Sequence, residues 1–265
     1  MKYGFIGLGS QGAPMAQRMI DAGLEVVLWA RRPETLAPFA DSSATRASTI
    51  VELAEQVSYC AVCVVDDAGV EQVVRQLLQG MAPGGTIVIH STVHPQLCRD
   101  LAERAKNLDI AVLDAPVSGG GGGAANGTLT VMLGGDADSV AAVKPVLETF
   151  AGLIAHLGGV GAGQLAKLVN NSLMAANLAL ADHALAAAEA LGVESAAFKQ
   201  LVAVSSGRSF AFDVRARMNQ PSDFLHGAQL LAKDVRLLGD ALMHSRDFTV
   251  LKNTAQDFLD RALDQ

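Results

Sequence analysis

Up to about residue 158, short runs rich in Val and Ile alternate with stretches whose apolar residues recur every three to four positions. KYGFIG (2–7), EVVLWA (25–30), SYCAVCVV (58–65), GTIVIH (85–90), DIAVLDA (109–115), TLTVMLGG (128–135) and LIAHLG (153–158) read as strands. Strands separated by helical stretches form βαβ units, which predicts a mostly parallel sheet covered by helices. From Gly161 the strand pattern stops. An Ala/Leu-rich stretch without a breaker runs to about Leu191 and ends at Gly192, which predicts one long helix. That helix is too apolar to stand alone. Further helices are expected near 194–204, 228–244 and 248–263, with turns over Ser205 to Ser209 and around Pro221. The chain therefore divides into an α/β domain over 1–160 and, over 161–265, an interdomain helix followed by an all-α domain.

A chain of 265 residues, half of them apolar, can bury a core without disulfide or metal staples. No metal site is expected. The three cysteines do not suggest a disulfide framework, and Cys60 and Cys63, although spaced C-x-x-C, lie inside an apolar strand and read as core thiols. No apolar stretch reaches the roughly 18 to 20 residues needed to cross a bilayer, and the glycine-interrupted start does not resemble a secretory leader. The expectation is a cytoplasmic protein with no membrane partner. A net charge of −7 with no dense Lys/Arg cluster argues against nucleic acid. A negatively charged ligand must then be held by particular cations.

GLGSQG, from Gly7 through Leu8, Gly9, Ser10 and Gln11 to Gly12, follows the first strand and opens the first helical stretch. In this G-x-G-x-x-G spacing the first glycine allows the tight turn, the second admits a pyrophosphate, and the third lets helix and strand pack closely. The expected fold is thus an N-terminal Rossmann-type dinucleotide-binding domain. At the end of the second strand an acidic residue would accept from the ribose 2′-hydroxyl of NAD. Ala30, Arg31 and Arg32 stand there instead, and two guanidinium groups favour the 2′-phosphate of NADP. NADP(H) is expected, with NAD(H) as a weaker alternative. Val65, after the third long strand, is a further cofactor contact.

Four segments in order, GLGSQGAPMA, DAPVSGG with GTLT following, GAGQLAKLVNN and KDVRLL, resemble the β-hydroxyacid dehydrogenases and span nearly the whole chain. The resemblance implies hydride transfer between a nicotinamide and a small hydroxy acid or its semialdehyde. It makes Lys167 the general acid/base and Asn171 its substrate-orienting partner. Ser118, Gly119 and Gly120 would hold the substrate carboxylate, and Thr92 would lie near the nicotinamide. Lys233, supported by Asp234, would contact cofactor or substrate from the helical domain. The residue types suit the chemistry: a developing alkoxide needs a proton and positive charge, and a lysine with a lowered pKa supplies both. Asn171, four residues on, shares a helix face with Lys167.

The chain departs from this pattern at Ala30, at His90 before the Ser91-Thr92 pair, and at Asp182-His183, where His183 is expected to be a helix-face residue without a role. It also stops soon after FLDRALDQ, so substrate contacts from a longer acidic tail are not expected. Residues Ser209, Phe210 and Phe212, with Lys233, would set substrate length and polarity. The apolar stretch 165–202 suggests a homodimer or homotetramer. Alternatives are an imine reductase of the same plan and a non-catalytic NADP-binding module; Lys167 argues against both.

Overall fold

A computed structural model describes residues 1–242 and 246–263. The chain divides into two compact units, Met1–Lys167 and Leu168–Gln265. In the first unit, six strands form a parallel sheet: β1 (Lys2–Ile6), β2 (Glu25–Trp29), β3 (Thr45–Arg46), β4 (Tyr59–Val62), β5 (Thr86–Ile89) and β6 (Ala111–Asp114). Their spatial order is β3-β2-β1-β4-β5-β6. All the neighbouring pairs are parallel, so crossovers must join them: α1 (Gly12–Asp21), α2 (Ile50–Gln56), α3 (Asp67–Gly80) and α4 (Pro95–Lys106), with a short 3₁₀ segment, Pro33–Phe39, between β2 and β3. Because side chains alternate along a strand, the sheet buries two apolar faces. Phe5, Leu28, Ala61, Val88 and Leu113 meet Met15 and Met19 of α1 on one side. Ile6, Val27, Cys60, Ile87 and Val112 meet Leu53, Val70, Leu77 and Leu101 of the other three helices.

The expected mostly parallel sheet ends at β6, and a second, smaller sheet begins at residue 117. There β7 (Val117–Ser118), β8 (Leu129–Leu133) and β9 (Ala151–His156) form a separate three-stranded sheet in the order β7-β8-β9, antiparallel in its first pair and parallel in its second. The chain runs straight on from β6 through Ala115 and Pro116 into β7 and reverses only after Ser118, so β8 returns antiparallel to it: β8 pairs with β7 and, in the same register, meets the large sheet at the isolated bridge Asp114 to Gly134. Val117, Leu129, Val131 and Leu133, with α5 (Gly120–Asn126) and α6 (Ala137–Leu147), extend the apolar core on the α1 side.

The long helix forms as expected: α7 (Ala162–Ala190) has 29 residues, and Gly192 follows with φ +77°, the left-handed conformation that closes helices. The second unit adds α8 (Ser195–Val204), α9 (Phe210–Arg215), α10 (Leu225–Ala241) and α11 (Arg246–Leu263). The helix expected over 228–244 thus starts three residues earlier, and its last two expected positions lie outside the described residues. Ser209, expected in a turn, caps α9 by accepting from the Phe212 amide. Leu168, Ala175, Leu178, Leu231, Val235, Phe258 and Leu259 share one core.

His183 is not the idle helix-face residue expected. Its Nε2 lies 2.7 Å from Asp257 of α11, whose carboxylate also accepts from Arg261 at 2.7 Å. Arg261 in turn pairs with the buried Asp182, which accepts from Arg215 of α9 at 2.5 Å. Buried charges persist only when paired, so these contacts tie α9 and α11 to α7. Among the described residues, no helix is long and apolar enough to cross a membrane.

Candidate active site

Every loop that leaves the carboxyl end of β1, β4, β5 or β6 carries a residue singled out in the sequence, or a partner to one. The turn from β1 to α1 shows three separate reasons for its glycines. Gly7 has φ +100°, and a Cβ there would overlap the Cys63 carbonyl oxygen after β4. A Cβ on Gly12 would overlap the Gly7 carbonyl oxygen, so helix and turn touch through backbone. Gly9 has nothing within 4 Å of where its Cβ would be. That open space beside the first turn of α1 is what an approaching pyrophosphate requires, so the turn fits a dinucleotide. No side chain caps α1 at Gln11, and no acidic residue lies in its first turn. Leu8 is buried, and Ser10 is exposed.

At the end of β2, Ala30 is half-buried, and Arg31 and Arg32 are exposed. Glu34, two residues on, approaches the Arg32 guanidinium at 3.9 Å. Both groups are well solvated, so a phosphate can displace that carboxylate at little cost. Val65 is 80% exposed after β4, and the neighbouring Val64 amide donates to Ser91 Oγ at 2.8 Å. Cys60 is fully buried and Cys63 half-buried; both are free thiols, and burial pushes Cys63 up to about 12 and Cys60 higher. They are core residues, not a redox pair.

His90, at the end of β5, is a buried imidazole. Its Nδ1 donates to the Ala115 carbonyl at 2.8 Å, its ring stands edge-on to Phe150, and Nε2 has no hydrogen-bond partner among the described residues. Burial lowers its pKa from 6.5 to about 4, outweighing the upward pull of the Ala115 bond. The unfolded chain therefore binds a proton between those pH values that the folded chain refuses. This contribution to stability is complete above about pH 6.5 and is lost as pH falls towards 4, a total of about 3 kcal/mol. Denaturant titrations of the parent and His90→Asn across that window should show a steeper acid loss in the parent; parallel curves would refute it.

Ser118 lies in β7, paired across from Thr130. The glycines that follow are not a flexible loop. Gly119 has φ +128° and Gly120 φ +65°, which turns the chain sharply into α5. A Cβ on Gly121 would come 2.7 Å from the Ser10 carbonyl oxygen. The glycine run therefore lets the backbone after Ser118 lie against the β1–α1 turn, bringing the expected carboxylate-holding and cofactor residues side by side.

Lys167 sits on α7 and is 8% exposed. The first turn of α7 is seated on the large sheet by residues that the sequence reading did not single out. Asp114, at the end of β6, accepts from the Gly161 amide at 2.6 Å and the Gln164 amide at 2.8 Å. Burial raises its pKa, and those two amides oppose the rise. Gln164 is fully buried and bonds to the loop after β5. Asn171 is one helical turn beyond Lys167, and its Nδ2 donates to Asp234 of α10 at 2.5 Å. Lys233 Nζ lies 3.5 Å from the same carboxylate, so Asp234 joins the two. Phe212 is buried and Phe210 is 75% exposed.

A parallel sheet whose order reverses between β1 and β4, with an open glycine turn at that reversal, is the architecture of a dinucleotide-binding domain, and the matching families make the protein an NAD(P)-dependent dehydrogenase. The family model described as the NAD binding domain of 6-phosphogluconate dehydrogenase matches residues 2–158, and that described as the NAD-binding of NADP-dependent 3-hydroxyisobutyrate dehydrogenase matches 161–265. The chain belongs to the β-hydroxyacid dehydrogenase family.

Among its relatives, the NAD-dependent L-serine dehydrogenase of Pseudomonas aeruginosa is 34% identical over 95% of this chain and 88% of its own length. Mouse mitochondrial 3-hydroxyisobutyrate dehydrogenase is 29% identical over 95% of this chain and 79% of its own. The structure of Mycobacterium tuberculosis 3-hydroxyisobutyrate dehydrogenase with L-serine superposes with a TM-score of 0.87 at 28% identity, covering 98% of this chain and 94% of that one. The protein is accordingly an NAD(P)-dependent oxidoreductase acting on a small hydroxy acid.

Proposed function

We propose that the protein is an NADP-preferring dehydrogenase or reductase that interconverts a hydroxy acid of roughly two to five carbons and its semialdehyde or keto form, with Lys167 as general acid/base. The observation that carries the reading is the placement of Lys167: a buried amine on a helix whose first turn is bonded to the loops at the carboxyl ends of the large sheet. The nicotinamide supplies or accepts the hydride. Lys167 gives a proton to the carbonyl oxygen as negative charge develops there, and takes it back in oxidation. Ser118 and the backbone amides of Gly119 and Gly120 hold the carboxylate, Asn171 orients the reacting group, and Thr92 and Lys233 add contacts to cofactor and substrate. Names of relatives extend the candidate substrates to 3-hydroxyisobutyrate, L-serine and L-threonate. Val169, Leu173 and Leu180, about half exposed and within one helical stripe of α7, support a homodimer or homotetramer.

The cofactor preference rests on Arg31 and Arg32, and the Pseudomonas relative, named as NAD-dependent, makes a direct test necessary. With the double variant Arg31→Ala/Arg32→Ala, the ratio of kcat/KM for NADPH over NADH should fall by about 30-fold, since each charge-assisted bond to a phosphate contributes about 1.5–3 kcal/mol and exposure reduces it. An unchanged ratio would show that the arginines do not read the 2′-phosphate.

A further inference from the structure

We propose that Gln164 is a positioning residue: it locks the first turn of α7, and with it the lysine three residues on, to the turn after β5 that carries Thr92. The side chain is fully buried and both ends of its amide are used. Oε1 accepts from the Val93 amide at 3.1 Å, and Nε2 donates to the Ser91 carbonyl at 2.8 Å. The two bonds bracket Thr92. Ser91 Oγ passes the connection on by accepting from the Val64 amide after β4.

The same turn of helix is fixed from below. Asp114 accepts from the backbone amide of Gln164, and a Cβ on Gly163 would overlap the Met132 carbonyl oxygen of β8. The ends of β5 and β6 therefore meet at one turn of α7, Asp114 through backbone amides and the loop after β5 through the Gln164 side chain, with the loop after β4 joined through Ser91.

The partners dictate the residue type. One is an N–H and the other a carbonyl, so the side chain must accept and donate at once, from a rigid plane. A carboxylate cannot donate to Ser91, an ammonium cannot accept from Val93, and a hydrocarbon does neither. Without this bracket, α7 is still held by Asp114, but the turn that carries Thr92 loses its two hydrogen bonds to the helix that carries Lys167. The expected consequence falls on the chemical step, because a proton donor misplaced by about 1 Å loses rate by about 100-fold while ground-state binding is little affected.

The inference rests on Lys167 being the proton donor, and the experiment separates the two. Full-length Gln164→Leu, Gln164→Glu and Lys167→Met are assayed with NADP+ and the fastest of 3-hydroxyisobutyrate, L-serine and L-threonate, NADPH affinity is measured by fluorescence, and exchange of the Val93 amide is followed. For Gln164→Leu, kcat should fall by about 30- to 100-fold with KM and NADPH affinity within about threefold of the parent, and the Val93 amide should exchange faster. Gln164→Glu keeps the Val93 bond and loses the donor to Ser91 when ionised. Its kcat relative to the parent should recover as pH is lowered and the buried carboxyl gains a proton that can donate.

If Gln164→Leu does not fold, Gln164→Glu decides alone: recovery at low pH supports positioning, and a flat ratio overturns it. Parent-like kcat in Gln164→Leu, or equal losses in kcat, KM and NADPH affinity, overturns the positioning role while an inactive Lys167→Met leaves the catalytic reading intact. An active Lys167→Met overturns that reading and this inference with it.

Discussion

Replacing Lys167 with methionine lowers kcat by about 1,000-fold, inside the range for removal of a general acid/base, and leaves NADPH affinity close to that of the parent. Methionine keeps the length and apolar stem that fit a buried position and removes only the amine, so packing at α7 is conserved. The cofactor turn at Gly7 to Gly12 is held by backbone packing against the loop after β4 and by its own backbone hydrogen bonds. Steady-state kinetics with fluorescence titration of NADPH checks both halves. A variant that turns over within tenfold of the parent would remove Lys167 from the chemistry. Equal loss of rate and cofactor affinity would place its role in binding instead.

A second large effect is expected at Gly9, where folding and binding part company. A methyl group at Gly9 meets nothing within 4 Å, so Gly9→Ala folds like the parent; the space it fills is the space a pyrophosphate needs, and NADPH affinity falls by about 100-fold. Gly7→Ala behaves differently. Its φ of +100° is one that alanine rarely adopts, and its methyl would overlap the Cys63 carbonyl oxygen. Strain of about 1–3 kcal/mol should lower the melting temperature of Gly7→Ala as well as its cofactor affinity. Thermal unfolding without cofactor, set beside calorimetric titration of NADPH, distinguishes the two. Parent-like NADPH affinity in Gly9→Ala would show that the open space at that glycine is not where the pyrophosphate lies.

The long strands of the large sheet and α7 were legible because each carries its own pattern: near-continuous apolar runs for strands buried on both faces, and an unbroken Ala/Leu run closed by Gly192 for the helix. Two-residue strands carry no period, so Thr45–Arg46 and Val117–Ser118 went unseen. The split into two sheets was hidden for a related reason. Hydrophobic alternation states that a segment is a strand and says nothing of the direction of its partner, and the return of the chain through α5 after Ser118 decides that.

For the site, residues with a local signature were found: the glycines of a turn, the paired arginines, the lysine inside GAGQLAKLVNN. Those missed work at long range. Gln164 contacts a loop more than 70 positions away, Asp114 seats a helix that starts 48 positions later, and the partner of His183 lies 74 positions on. A lone Gln, Asp or His in an apolar context reads the same whether its partner is a distant backbone amide or water. Five consecutive glycines stand at 119–123, but one reason for them, the approach of Gly121 to the Ser10 carbonyl, exists only in three dimensions.

The central claim is tested most directly by following absorbance at 340 nm with the purified protein, NADPH or NADH, and a panel of glyoxylate, succinic semialdehyde, tartronate semialdehyde, methylmalonate semialdehyde and a cyclic imine. The account predicts rapid oxidation of NADPH, faster than of NADH, with at least one of the semialdehydes or glyoxylate. Turnover with the cyclic imine alone would contradict it in favour of an imine reductase, and tight NADPH binding without turnover of any member would contradict it in favour of a binding module.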